Sequence, residues 1–175
     1  MEFNVHQHHK LAMLSTEEKY CLFNMTKQLP VDSIVLEVGT NKGGSCSIMA
    51  SANSEIKIHT LDLFEDWNDC SYTGVLETLS CFVNVTVHKG NSFENFKNWN
   101  TPIDLYFEDG AHDNPALLYS MMQWIPHLKI GGFMLVHDNN SYFPDVGNNI
   151  NELINRGEFE FLEQVNSLTV LKKVK

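Results

Sequence analysis

The sequence predicts an α/β fold: a doubly wound, mostly parallel sheet of seven strands with a C-terminal antiparallel hairpin. Short apolar, β-branched runs alternate with segments of helical periodicity as far as residue 155, which is the pattern of parallel strands covered by helices on both faces. Two more strand-like runs then follow with only Asn166-Ser167 between them, and so short a connection is typical of a hairpin.

The predicted elements follow one another regularly along the chain. A first helix is predicted over residues 14–29, opened by Ser15-Thr16-Glu17-Glu18 and ended by Pro30. Strands are predicted over residues 33–38, 57–63, 83–88, 103–108, 133–137, 159–165 and 168–174. Helices are predicted over residues 43–52, 72–82, 115–128 and 146–155, with a helical turn or short helix over 92–98. Gly131-Gly132 is expected to end the unit before the fifth strand.

Length and composition fit a single globular domain of 175 residues, with an N-terminal helical segment at 1–30 and an α/β core at 31–175. We expect a cytoplasmic protein that does not enter a membrane, because no apolar run could span a bilayer and no signal peptide is evident. The net charge of -10, with a Lys cluster only at the extreme C-terminus, argues against nucleic acid as a partner. A small-molecule substrate is therefore expected.

A glycine turn follows the first predicted strand, in the run L-E-V-G-T-N-K-G-G-S at residues 36–45. Glycine lets a ligand approach the backbone closely, and the helix that follows offers unpaired N–H groups to an anionic group. Alternatively, this sequence forms a plain tight β-α turn that binds no ligand. Asp62 ends the second strand, where an acid can accept hydrogen bonds from both hydroxyls of a ribose, although it could also be a capping or solvated residue. Together the turn and Asp62 favour a nucleoside-containing cofactor.

Five segments resemble, in order, the motifs of class I S-adenosylmethionine-dependent methyltransferases. E-V-G at 37–39 with G-G-S at 43–45 resembles the first motif, and G-N-S at 90–92 is similar to the segment that contacts adenine. D-L-Y-F-E-D-G-A-H at 104–112 resembles the fourth motif. L-K-I-G-G-F-M-L-V-H-D at 128–138 resembles the L-x-x-G-G-x-x-x-x-x-D pattern with which the motif region ends. Within the class, the chain resembles the small subfamily that carries D-G-A-H and H-D, similar to the catechol O-methyltransferase-like group.

This resemblance implies a Rossmann-like methyltransferase fold with S-adenosylmethionine as cofactor. In the family, the first acid and the glycine loop hold the methionine part of the cofactor. Asn41 departs from the family, in which many members have glycine or an acid, so a slightly reshaped loop is expected. The predicted cofactor-binding residues are Glu37, Gly39, Thr40, Asn41, Gly44, Ser45, Asp62, Leu63, Asn91, Ser92 and Asp109.

Acidic residues after the fourth and fifth strands resemble a cation site. In catechol and caffeoyl-CoA O-methyltransferases, an Asp at the first place and an Asp-Asn pair at the second bind a divalent cation, and Asp109, Asp138 and Asn139 stand at the matching places. Hard oxygen ligands suit Mg²⁺, Mn²⁺ or Ca²⁺, and the cation would lower the pKa of a bound hydroxyl. Alternatively, Asp138 only orients its loop, or His137 replaces one ligand and favours a transition metal.

His112 is the candidate general base, because it occupies the place that a catalytic lysine has in the catechol enzyme and titrates near neutrality. It could equally only bond a neighbouring carboxylate. Asp109 is the other predicted catalytic residue. Four loop aromatics flank the proposed site and could cover a substrate or pack locally: Trp67, Tyr72, Tyr142 and Phe143.

The sequence therefore predicts transfer of a methyl group to an oxygen of a small molecule, with help from a divalent cation. A nicotinamide-dependent oxidoreductase is the alternative, although Asn41 holds the place of the second glycine of G-x-G-x-x-G. A non-catalytic binding module on the same fold is another. Sugars, catechols and acyl-CoA esters all stay open as acceptors. Because no large cap is inserted, we expect an open site or one completed by a second subunit in a homodimer.

Overall fold

The computed structural model of the protein describes residues 7–64 and 70–175, so Trp67 lies outside the described residues. The strands are β1 (Ile34–Val38), β2 (Lys57–Asp62), β3 (Val85–Lys89), β4 (Ile103–Glu108), β5 (Leu128–Val136), β6 (Phe159–Val165) and β7 (Leu168–Lys173). The α-helices are α1 (Thr16–Lys27), α2 (Gly44–Ala52), α3 (Tyr72–Leu79), α4 (Ala116–Trp124) and α5 (Pro144–Asn155). Short 3₁₀ helices cover Gln7–Leu11 and Ile125–His127.

The seven strands form one sheet in the order β3-β2-β1-β4-β5-β7-β6. The pairs β3-β2, β2-β1, β1-β4 and β4-β5 are parallel, while β7 runs antiparallel to both β5 and β6. The predicted fold class is thereby confirmed, including the C-terminal hairpin. The order of the strands reverses between β1 and β4, which is the point at which open α/β sheets bind their ligands.

Apolar side chains cover the sheet on both faces, as a doubly wound fold requires. One core cluster joins the sheet to α1, α2 and α3 and includes Leu22, Ile48 and Leu79. The other joins it to α4 and α5 and includes Trp124 and Ile150. None of the described helices is long and apolar enough to cross a membrane.

Several predicted boundaries differ from the structure. Residues 92–98 form turns, not a helix. α4 ends at Trp124 and tightens into a 3₁₀ turn, because Pro126 has no N–H to continue an α-helix. Gly131 and Gly132 lie inside β5 and do not precede it, beside an irregularity in the pairing with β4. A side chain at Gly132 would come within 2.9 Å of the carbonyl oxygen of Asp104, so glycine permits this close approach of two strands.

The predicted capping sequence begins α1 as expected. Ser15 accepts a hydrogen bond from the backbone N–H of Glu18, and the Glu18 carboxylate accepts one from the backbone N–H of Ser15.

Candidate active site

The carboxyl ends of β1, β2, β4 and β5 meet at one edge of the sheet. The N–H of Gly39 donates to the carbonyl of Leu61 at 2.9 Å, and the N–H of Asp109 donates to the carbonyl of Val38 at 2.9 Å. The N–H of His137, the residue after β5, donates to the carbonyl of Glu108 at the end of β4. The residues that follow these strands, which carry most of the predicted site, therefore share one edge.

The glycine turn after β1 has backbone conformations that most side chains would not allow. Gly39 has a φ of 95°, and a Cβ there would lie 2.1 Å from the carbonyl oxygen of Asp109. Gly43 begins α2 with a left-handed φ of 80°. Asn41 has a φ of 45°, a conformation that Asn tolerates better than most residues. Asn41 thus accommodates the left-handed conformation of this turn, and the expected reshaping relative to the family stays a prediction.

Glu37 places a buried carboxyl group directly under this turn. The hydroxyl of Thr60 donates to its Oε2, and the hydroxyl of Thr40 lies 2.6 Å from that of Thr60. Burial raises the pKa of Glu37 to about 8, against the opposing effect of the Ser45 and Thr60 hydroxyls. Among the described residues, no donor in hydrogen-bond geometry reaches Oε1. A buried acceptor without a donor fits the amino group of a methionine-like ligand. Gly44 serves the packing instead, because a Cβ there would lie 2.0 Å from the backbone nitrogen of Ala12.

Asp62 is held in place at the end of β2. Its Oδ2 accepts a hydrogen bond from the N–H of Asn41 at 2.8 Å, and its Oδ1 accepts one from the N–H of Phe64 at 3.0 Å. Each oxygen retains a lone pair, so the carboxylate is oriented and can still accept from a ribose. The neighbouring Leu63 is 42% exposed.

The segment after β3, predicted to contact adenine, is shaped by asparagine side chains. Gly90 continues the β2 pairing through a hydrogen bond from its N–H to the carbonyl of Asp62. Asn91 Oδ1 accepts from the N–H of Phe93 at 3.0 Å, so this side chain stabilises its own turn. Ser92 is half-buried beside it.

A cluster of two acids and two histidines follows β4 and β5. Buried His137 has its Nδ1 3.0 Å from Asp109 Oδ1 and 3.3 Å from Asp138 Oδ2, and His112 Nε2 lies 3.0 Å from Asp138 Oδ2. Burial alone would lower the pKa of His137, but the bonds to Asp109 and Asp138 outweigh it and raise the pKa to about 10. Burial raises the pKa of Asp109, whereas contacts with His112 and His137 hold that of Asp138 well below its usual range. The Asp138 contact raises the pKa of His112.

The side chain of Asn139, the third predicted metal ligand, points elsewhere. Its Nδ2 donates to Thr169 Oγ1 at 2.9 Å and lies 3.3 Å from Gln164 Oε1. One atom each of Asp109, His137 and Asp138 lie within 4.8 Å of one another, a spacing that could hold a metal ion. The metal assignment stays a prediction, and the structure places His137, not Asn139, beside the two acids.

Two of the loop aromatics predicted to flank the site have described contacts. The ring of Phe143 packs against that of His112, with 4.4 Å between centroids. Tyr72 packs on Phe64 at 5.3 Å. Phe143 therefore lies at the site, and Tyr72 packs locally.

Sequence reasoning missed two groups of residues around this cluster. Glu108 is buried and accepts hydrogen bonds from Tyr106 and Ser120, and burial raises its pKa to about 7. Glu18 and Ser167 lie on the far side of His137, at 3.5 Å and 3.2 Å from its Nε2. The capping pattern of α1 indicated that Glu18 is structural, but no spacing in the sequence connects it to His137.

A family model described as a methyltransferase domain matches residues 36–139, more than half of the chain. The chain belongs to this family. The match includes the glycine turn, Asp62 and the acid–histidine cluster. The protein is thus an S-adenosylmethionine-dependent methyltransferase, and neither the oxidoreductase nor the non-catalytic alternative is favoured.

Solved structures of methyltransferases share the fold at low sequence identity. The O-methyltransferase TomG from Streptomyces achromogenes, solved with S-adenosylmethionine, has a TM-score of 0.76 at 14% identity, with 100% of this chain and 93% of TomG covered. The O-methyltransferase NovP has 0.75 at 14%, covering 94% and 82%. An rRNA methylase from Streptococcus thermophilus has 0.71 at 17%, covering 94% and 100%. No curated protein sequence matches the chain.

Proposed function

We propose that this methyltransferase transfers the methyl group to an oxygen of a small molecule, with a divalent cation beside Asp109 and Asp138. The observation that supports the proposal is the position of these two acids and His112 at the carboxyl ends of adjacent strands, next to the glycine turn. S-adenosylmethionine supplies an electron-poor methyl group, whose bond to sulfur breaks as the bond to oxygen forms and the electron pair stays on sulfur.

The chain's own residues would supply the remaining chemistry. The acceptor hydroxyl loses its proton to Nδ1 of His112, because Nε2 is buried and faces Asp138 Oδ2 at 3.0 Å. Asp138 then stabilises the imidazolium that results. Asp109 and Asp138 would hold the cation, which would lower the pKa of the acceptor hydroxyl. Phe143 packs against His112 at a tilt of 32° and would limit the rotation of its ring.

The charge of the protein favours a small acceptor over RNA. Nucleic-acid binding draws most of its affinity from neutralising phosphates, and this chain has a net charge of -10. The rRNA methylase among the structural neighbours makes RNA the second acceptor to test.

The proposal is tested by measuring S-adenosylhomocysteine formation with catechol, caffeoyl-CoA, a sugar and ribosomal RNA as acceptors. We expect turnover with a small hydroxyl compound, loss of turnover in EDTA, and its return with Mg²⁺ or Mn²⁺. Asp109→Asn and Asp138→Asn should abolish the cation-dependent rate, and His112→Ala should lower kcat by about 10²-fold or more.

Asp32→Asn is the matched control, because Asp32 is an exposed acid paired with Lys57 near the amino ends of the strands. Turnover that neither EDTA nor His112→Ala reduces would remove the cation and the base from the proposal. Methylation of RNA alone would replace the small-molecule acceptor.

A further inference from the structure

The imidazole of His137 lies between two groups of oxygen atoms. Its Nδ1 faces Asp109 and Asp138, as described above, while its Nε2 lies 3.2 Å from Ser167 Oγ and 3.5 Å from Glu18 Oε2. Glu18 and Ser167 both lie outside residues 36–139, so the family match does not account for them.

The Glu18 carboxylate is fixed from several directions. It is 3% exposed, and its Oε2 accepts a hydrogen bond from the N–H of Ser15 at 2.7 Å. Its Oε1 accepts from the N–H of Ser167 at 2.9 Å and from the Ser167 hydroxyl at 2.8 Å. All of these partners are donors, so a negative carboxylate is compensated in this position. It therefore fixes the Ser167 hydroxyl, which lies 3.2 Å from Nε2 of His137, and holds a negative charge 3.5 Å from that nitrogen.

We propose that Glu18 is a positioning residue for His137: it holds the Ser167 hydroxyl, which accepts from Nε2, and places its own charge 3.5 Å from Nε2, and thereby keeps Nδ1 directed at Asp109 and Asp138. An imidazole with an acceptor beyond Nε2 has one preferred ring orientation, since a flipped ring would turn a carbon toward Glu18. The two acids at the ends of β4 and β5 would then keep their spacing. The inference rests on the proposed function only where it assigns those acids to the reaction.

A purely structural role for Glu18 makes a different prediction. In that case the residue only caps α1 and docks it on the hairpin, and any change that weakens the capping box should act like its loss. Ser15→Ala is the matched control, because it removes the hydroxyl that accepts from the N–H of Glu18 and from Asn166 but leaves the carboxylate in place.

The test is NMR of the histidine ring nitrogens in the full chain, labelled with ¹⁵N-histidine, with His137→Gln used to assign the signals. We expect a proton on Nε2 of His137 in the wild type, and a changed Nε2 shift in Glu18→Gln but not in Ser15→Ala. Glu18→Asp should restore part of the wild-type signal. With an acceptor that supports turnover, Glu18→Gln should lower kcat about 10- to 100-fold at an unchanged KM for S-adenosylmethionine.

Unchanged His137 signals in folded Glu18→Gln, or equal changes in Ser15→Ala, would overturn the proposal. If Glu18→Gln does not fold, the wild-type spectrum is sufficient, because an Nε2 without a proton is incompatible with donation to the Ser167 hydroxyl that Glu18 holds. The spectra do not depend on methyl transfer, so failure of the proposed reaction and failure of this inference are separate results.

Discussion

His137 Nδ1 lies 3.0 Å from Asp109 Oδ1, between the ends of two adjacent parallel strands. Removal of this ring would leave Asp109 and Asp138 facing each other without a compensating charge. We expect His137→Gln to lower the free energy of unfolding by about 3–5 kcal/mol, the range seen when one partner of a buried ion pair is removed. Urea denaturation measures this, with His127→Gln, a half-buried histidine away from the cluster, as the control. Equal losses in the two variants would contradict it.

Glu37 should make stability depend on pH. Its pKa is about 8 in the folded protein and near 4.5 in the unfolded chain. At low pH the carboxyl is therefore protonated in both states and does not change the free energy of unfolding. As the pH rises from 4.5 to 8, the unfolded chain ionises first, and the folded state loses stability. We expect wild type to lose several kcal/mol relative to Glu37→Gln over this range, since one pKa unit corresponds to about 1.4 kcal/mol. Unfolding at a series of pH values without cofactor is the measurement, and a constant difference would refute the prediction.

Gly39 and Gly131 allow the cost of a clash to be separated from that of backbone strain. Both have left-handed φ values, but a Cβ at Gly39 meets Asp109, whereas nothing lies within 4 Å of one at Gly131. Gly131→Ala should cost about 1–2 kcal/mol. Gly39→Ala should cost more and abolish binding of S-adenosylhomocysteine, as measured by calorimetry. Retention of normal binding in Gly39→Ala would show that the turn can move.

Asp62 should contribute to cofactor affinity through the hydrogen bonds that its oriented carboxylate can accept. A hydrogen bond to a charged group contributes about 1.5–3 kcal/mol, so Asp62→Asn should weaken S-adenosylhomocysteine binding at least tenfold. Asp32→Asn, the exposed control, should leave the affinity unchanged. Similar affinities for Asp62→Asn and wild type would limit Asp62 to its contacts with Asn41 and Phe64.

Much of the fold could be predicted because each βα unit is local. The strand at Phe159–Val165 matches its predicted bounds, since Gly157 before it and the turn at Asn166-Ser167 after it define its ends. The start of β5 could not be predicted, because whether Gly131-Gly132 ends a unit or lies within a strand depends on how closely Asp104 approaches.

The sequence by itself determined which chemical groups follow each parallel strand, and parallel pairing brings those positions to one edge whatever the details of packing. It therefore predicted the Asp109–Asp138 pair with His112. Only the tertiary structure decided where the side chains point. Asp138, with a left-handed φ of 60°, carries the chain toward the hairpin, where the Asn139 amide bonds Thr169. Docking of α1 against the same hairpin brings Glu18 to His137, a contact between distant parts of the chain that no local pattern encodes.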